Sequence, residues 1–83
     1  MNRVYLEKID GSRHMRRFYA ITVTPTLFRQ WAVVREWGRI GSPGTVREEW
    51  FDTEAQAQET ADRVKAKKEK RGYCGRKEEA LGL

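Results

Sequence analysis

The stretch Phe18–Trp37, which reads FYAITVTPTLFRQWAVVREW, decides the fold because it contains two alternating runs separated by a turn. In the first run, Tyr19, Ile21 and Val23 fall on one side of an extended chain. Pro25 ends this run, since proline has no amide hydrogen to donate to a neighbouring strand. The run WAVVREW after the turn alternates in the same way, so the stretch predicts two adjacent strands.

Two shorter runs outside this stretch predict further strands, at residues 4–9 and 46–51. The polar segment over residues 10–17 predicts a turn and loop between the first two strands. Before the last strand, Pro43 and Gly44 fit the two central positions of a type II turn. The sequence therefore predicts about four strands that neighbouring turns connect.

A long helix follows the strands. Thr53 and Gln56 have the spacing of a capping box, which marks a helix start, and Gly72 is suited to ending the helix. Its small apolar face, at spacings of three and four, consists of Ala57, Ala61 and Val64. We expect an α+β fold, a small antiparallel sheet of about four strands with one long C-terminal helix packed on it. Both sheet faces carry apolar residues, so the covered face stays open.

The chain of 83 residues is long enough for one domain, which we place at residues 1–75, with a flexible tail at 76–83. No apolar run exceeds four residues, so we expect no membrane segment or signal peptide. The single cysteine, Cys74, excludes an internal disulfide and agrees with a reducing compartment. We expect a cytoplasmic monomer.

Positive charge is concentrated in two segments. The net charge is +5, and basic groups dominate residues 1–44 and 61–77, whereas acidic groups dominate residues 45–60. Clustered Lys and Arg attract polyanions through counterion release. The alternative is that the helix simply carries acids at its start and bases at its end, which complements its dipole. Charge alone does not choose between these interpretations.

Few residues are available for catalysis. His14 and Cys74 are the sole residues of their types, and a zinc site needs about four such ligands. The glycine-rich segment at residues 38–44 lacks the Gly-Lys-Ser/Thr ending of a phosphate-binding loop. Glu48 and Glu49 are adjacent in a predicted strand and point to opposite faces. We expect no enzyme, no cofactor, no metal and no small-molecule substrate.

Trp37, Gly38 and Arg39 form the most informative motif, at the end of the third predicted strand. An indole offers a flat surface to a base or sugar, and a guanidinium forks onto a phosphate. Glycine between them leaves room for close approach of a ligand. The alternative is that Trp37 is a core aromatic and Arg39 a surface charge.

The motif and its surroundings resemble the WGR domain family over residues 4–73. The matching features, in order, are Phe18-Tyr19, Trp31-x-Val33, Trp37-Gly38-Arg39-Ile40-Gly41, Gly44-x-Val46, Phe51, Ala57 and Lys68-x-Lys70-Arg71-Gly72-Tyr73. WGR domains occur in poly(ADP-ribose) polymerases, in a bacterial molybdate-metabolism regulator and as short bacterial proteins. The resemblance implies a small antiparallel sheet with a helix.

The resemblance also implies roles for individual residues. In the polymerases the motif tryptophan packs against the sugar at a DNA strand end, a role that falls here on Trp37. The motif arginine contacts DNA and neighbouring domains, a role that falls on Arg39, with Gly38 structural. No polymerase domain is present, so ADP-ribosyl transfer is not implied. Ala61 stands where relatives often carry a bulky apolar residue.

We therefore expect a stand-alone, non-catalytic DNA-binding module that recognises DNA backbone, strand ends or nicks. RNA remains open as a ligand, and the alternative function is a protein–protein interaction adaptor that uses the same Trp37 and Arg39 surface. Helix-dipole compensation is the competing interpretation for the helix lysines, and Trp50 has no assignment. Beyond the motif, the candidate nucleic-acid-binding residues are Arg35, Arg47, Lys67, Lys68 and Lys70.

Overall fold

The computed structural model describes residues 2–75 and confirms the α+β architecture. One antiparallel sheet has the strand order β4-β3-β2-β1-β5, and one helix packs on it. The sheet has five strands rather than four, since a two-residue strand follows the helix. The predicted tail at residues 76–83 lies outside the described residues. The elements are β1 (Asn2–Asp10), β2 (Met15–Pro25), β3 (Trp31–Arg39), β4 (Thr45–Phe51), α1 (Glu54–Lys70) and β5 (Cys74–Gly75).

The β1–β2 hairpin extends further than the hydrophobic pattern predicts. Pairing continues to Asp10 opposite Met15, and a single 3-10 turn at Gly11–Arg13 closes the hairpin. Arg16 and Arg17 therefore lie in β2, and the prediction of a loop over residues 10–17 is wrong for its second half. The reason is that backbone pairing continues across polar side chains once the register is set.

Helix α1 covers the sheet face that carries Tyr19, Ile21 and Val23, which settles the face that the sequence left open. Ala57 and Ala61 are its buried residues, and their small side chains let the helix approach the sheet closely. Across the sheet the buried core also includes Leu6 and Val33. Within residues 2–75, no helix is long and apolar enough to cross a bilayer.

Both helix ends form as predicted. The Thr53 hydroxyl accepts a hydrogen bond from the Gln56 amide at 3.2 Å. At the other end, Gly72 has a φ of +97° and donates to the carbonyl of Glu69, and Tyr73 donates to that of Lys68. This pair of bonds is a Schellman motif. It turns the chain so that Tyr73 packs edge-on against the Tyr19 ring on the sheet, 6.2 Å between centroids.

The loop between β3 and β4 differs from the predicted type II turn at Pro43–Gly44. The turn lies earlier, where the Ser42 amide donates to the Arg39 carbonyl at 3.1 Å and Gly41 has a φ of +88°. Gly44 instead permits close packing, because a Cβ there would lie 2.6 Å from the carbonyl oxygen of Trp37. The loop thus folds back against the end of β3, which carries the Trp-Gly-Arg motif.

Candidate nucleic-acid interface

A concave site of about 460 Å³ lies at the end of the sheet where the β1–β2 turn meets the end of β3. We call it the arginine cleft. None of the described residues that line it is acidic, so the cleft is cationic. The lining residues are Arg13, His14, Met15, Arg16, Arg17, Trp37, Gly38, Arg39 and Tyr73.

Two arginines face each other across the floor of the arginine cleft. Arg17 on β2 pairs directly with Arg39 on β3, so both side chains leave the same sheet face. Like charges directly opposite one another are destabilising. Neither guanidinium forms an ion pair with any residue from 2 to 75. The pair therefore adds no stabilising ion pair to the described part of the fold.

Arg13 at the cleft edge is partly neutralised. Its Nε lies 3.8 Å from the Asp10 carboxylate, and both side chains are solvent-accessible. The hydrogen bond from the Ser12 hydroxyl is the main cause that lowers the pKa of Asp10. Asp10 therefore stays ionised at neutral pH, and Arg13 offers less net charge to a ligand than Arg17 or Arg39.

Trp37 is half-buried and both supports the core and lines the cleft. Its ring stacks on Tyr19 with 5.6 Å between centroids and 12° between planes. Tyr19 in turn contacts the edge of Tyr73. This stack holds the indole in one orientation while part of it faces the cleft, so little conformational entropy is lost when a ligand packs on it.

Gly38 lies between Trp37 and Arg39 and faces the returning loop. A Cβ at Gly38 would lie 3.1 Å from the Cα of Gly44, which is tighter than ordinary contact. Its role in the fold is therefore close packing of the loop against β3. This packing places the Trp37 and Arg39 backbone at the cleft.

Three of the other predicted basic residues lie beside the cleft on the covered face. Arg35 lies two residues before Trp37 on the same face of β3, and it pairs directly with Arg47 on β4. The Lys68 ammonium lies 4.6 Å from the centroid of the Tyr19 ring. Burial is the main cause that lowers the pKa of Lys68, and the charges of Arg71, Arg35 and Lys67 contribute. These residues form a second cationic area next to Trp37.

Lys67 and Lys70 are exposed in the last turn of α1 and do not line the cleft. Their position agrees with compensation of the helix dipole. The structure thus brings Trp37, Gly38 and Arg39 together in the cleft and leaves these two lysines at the helix end.

Sequence reasoning missed several cleft residues. Arg13, Arg16 and Arg17 lie in the segment predicted as a turn and loop, and Tyr73 was not among the candidate binding residues. The usable signal is the spacing of Arg17 two residues before Tyr19, because that spacing places both on one strand face. Recognising it requires knowing that β2 begins at Met15.

The opposite sheet face is open and carries exposed apolar side chains. Phe28 and Trp50 lie 6.0 Å apart there, and their exposed fractions are 70% and 44%. Trp50 Nε1 donates to Glu48 at 2.7 Å, and Glu49 pairs with Val33 on the other face. The prediction that Glu48 and Glu49 point to opposite faces of the sheet is therefore confirmed. Trp50, which had no assignment, lies on the open face.

His14 and Cys74, the two residues that the sequence analysis considered for catalysis, are both exposed. His14 ends the 3-10 turn with a φ of +53°, and Cys74 lies on β5. Within residues 2–75, no three His, Cys, Asp or Glu side chains lie close enough together to hold a metal ion.

Fold and cleft together define a small basic sheet-and-helix module with an aromatic residue set among arginines. The chain belongs to the WGR domain family, whose model matches residues 2–80. It is similar to the uncharacterised protein y4dW of Sinorhizobium fredii (strain NBRC 101917 / NGR234), with 39% identity over 71 residues. This match covers 86% of the chain and 35% of the relative, so the chain spans about a third of that protein's length. No solved structure matches the chain.

Proposed function

We propose that this WGR domain is a non-catalytic nucleic-acid-binding module, that DNA is its ligand and that the arginine cleft is its site. The observation that carries the proposal is the opposed pair of Arg17 and Arg39, which has no ion pair within residues 2–75, beside an indole that the Tyr19 stack holds in place. Guanidinium groups bind phosphates with charge-assisted hydrogen bonds, and an indole packs on a base or sugar. The cleft presents both within one small concave surface.

Recognition by this cleft depends on the backbone of the nucleic acid and not on its base sequence. The charged groups are arginines that suit phosphate contacts, which fix position but carry no sequence information. The cleft is bounded by the β1–β2 turn on one side and Tyr73 on another. A bounded concave site accepts a strand terminus more readily than a continuous double helix, so we propose a preference for ends and nicks.

The alternative, a protein-interaction adaptor at Trp37 and Arg39, has less support from the surface. Protein interfaces contain an apolar centre that excludes water. The exposed apolar side chains Phe28 and Trp50 lie on the open face, away from the arginine cleft. RNA stays a second ligand for the same phosphate chemistry, and the experiment below includes it.

Fluorescence anisotropy with labelled nicked, blunt and single-stranded DNA, and with a single-stranded RNA, tests the proposal. Wild type, Arg39→Gln and the charge-matched control Arg29→Gln, in the β2–β3 turn, are titrated at two salt concentrations. We expect affinity that falls steeply with salt, is strongest for the nicked DNA and is weakened by Arg39→Gln alone. Negligible binding of every DNA and RNA probe by wild type would refute the proposal. A salt-insensitive protein complex without nucleic-acid binding would favour the adaptor.

A further inference from the structure

A second pair of opposed arginines lies on the other side of Trp37 from the arginine cleft. Arg35 on β3 pairs directly with Arg47 on β4, on the same sheet face as Trp37. Three rows therefore follow one another along β3, with arginines in the first and third rows and aromatics between them. The rows are Arg17–Arg39, Tyr19–Trp37–Thr45 and Arg35–Arg47. We call the third row the distal arginine row.

The distal arginine row brings two positive charges together, and Glu49 lies two residues from Arg47 on the same face of β4. Within residues 2–75, neither of its arginines forms an ion pair, and the buried Nε of Arg35 has no hydrogen-bond partner. The Lys68 ammonium lies over the Tyr19 ring close to this row, and the charge of Arg35 helps to lower its pKa. Arg35 therefore faces the like charge of Arg47 and also acts on Lys68, and an anion placed at this row would relieve that repulsion.

Packing alone explains only part of this arrangement. Arg35 is partly buried with its Nε enclosed, and long basic side chains commonly pack their aliphatic stems on apolar surface. Packing of the stem does not require a second arginine directly opposite or a lysine above the same area. Arg47 is exposed on an edge strand, where any polar residue would satisfy the fold.

The spacing of the rows fits one strand of nucleic acid. Arg39 and Arg35 are four residues apart on β3, so the two arginine rows are separated by about 13 Å. A stacked strand advances about 3.4 Å per nucleotide, so about four nucleotides span that distance. Trp37 lies halfway, where a base or sugar of the strand would pass.

We infer that the strand held in the arginine cleft continues across Trp37 to the distal arginine row, an inference that rests on the proposed function. The site then takes a strand terminus in the cleft and about three further nucleotides along β3. Arg47 raises the affinity for longer strands but does not contact the terminal nucleotide. The inference assigns a minimum ligand length to this surface.

Binding of oligothymidylates of two, four, six and eight nucleotides tests the inference. Wild type is compared with Arg47→Gln, Arg39→Gln and the matched control Arg29→Gln, and circular dichroism verifies that each variant folds. We expect wild-type affinity to rise between two and four nucleotides and then to level off. Arg47→Gln should leave the two-nucleotide affinity unchanged and weaken the six-nucleotide affinity about fivefold at about 0.1 M salt. Arg39→Gln should weaken every length.

The possible failures are distinguishable. An Arg47→Gln loss that is equal at all lengths, or no loss at any length, would overturn the inference while leaving the proposed function intact. Absence of binding by wild type at every length, and to nicked DNA, would overturn both. The oligothymidylates can also be presented as single-stranded overhangs of a DNA duplex. The same dependence on length there would support the inference, because the strand then reaches Arg47 with a duplex beside the arginine cleft.

Discussion

Replacing Arg39 with glutamine removes one guanidinium from the floor of the arginine cleft and should change the salt dependence of DNA binding by a defined amount. Three arginines of the cleft, Arg16, Arg17 and Arg39, have no ion pair within the described part of the chain, whereas Arg13 is partly neutralised by Asp10. Three phosphate contacts to duplex DNA give a slope of about −2.7 in a plot of log affinity against log salt. Between about 50 and 200 mM salt, wild-type affinity should then fall about 40-fold.

Arg39→Gln should reduce the slope to about −1.8 and the loss over the same range to about 12-fold, because one counterion fewer is released. Anisotropy titrations of a nicked hairpin at several salt concentrations measure both slopes. Arg29→Gln is the matched control, since it removes one charge at the other end of the β2–β3 hairpin and should leave the slope unchanged. Parallel lines for wild type and Arg39→Gln, or an equal change in the control, would show that Arg39 makes no phosphate contact in the cleft.

Four further outcomes follow from named contacts. Arg39→Gln should raise the free energy of unfolding by a few tenths of a kcal/mol, measured by urea denaturation, because Arg17 loses a like charge opposite it; a clear decrease would contradict this. Trp37→Phe should keep the stack on Tyr19 and most DNA affinity, whereas Trp37→Ala should weaken binding by about 1–3 kcal/mol without changing the salt slope. Equal affinity of the two folded variants would exclude stacking. Gly44→Ala should destabilise the fold by about 1–3 kcal/mol, since its Cβ would meet the Trp37 carbonyl, whereas Gly11→Ala, with nothing within 4 Å, should cost much less. Because the pKa of Lys68 is lowered from 10.5, the unfolded chain binds its proton more tightly, so the stability of wild type relative to Lys68→Met should rise as pH increases toward 10.5; a fall would contradict the sign.

The elements that the sequence predicted best are those with a local signal. The Thr53 cap, the Gly72 stop and the small face of Ala57 and Ala61 all depend on residues within a few positions of one another. The same holds for the alternation within β2 that places Tyr19, Ile21 and Val23 on one face. Local hydrogen bonding and side-chain periodicity are encoded directly in the sequence, so these predictions are confirmed.

The errors in the fold arose where structure depends on distant partners. The start of β2 at Met15 has no apolar alternation, and pairing with β1 extends the strand through polar residues. Gly44 was interpreted through its conformational freedom, whereas its contact with the Trp37 backbone is what requires glycine. The two residues of β5 form a strand because the Schellman motif directs the chain back to β1. None of these contacts has a signature within its own segment.

The candidate site also combines residues that the sequence singled out with residues that only the fold brings together. Trp37 and Arg39 belong to a contiguous motif, so chemistry and resemblance were enough to single them out. Arg17 and Tyr73 reach the same cleft from segments that are 20 or more residues away in the chain, through strand register and the helix C-cap. Arg35 and Arg47 were candidates as separate charges, and only the register reveals that they face each other.

Backbone amide chemical shifts of the ¹⁵N-labelled protein, recorded while a nicked DNA hairpin is added, report both whether DNA binds and where it binds. We expect the largest changes to cluster at the arginine cleft, around Arg17, Trp37 and Arg39. Changes confined to the open face around Phe28 and Trp50, or no changes at all, would contradict the assignment of the arginine cleft as a nucleic-acid site.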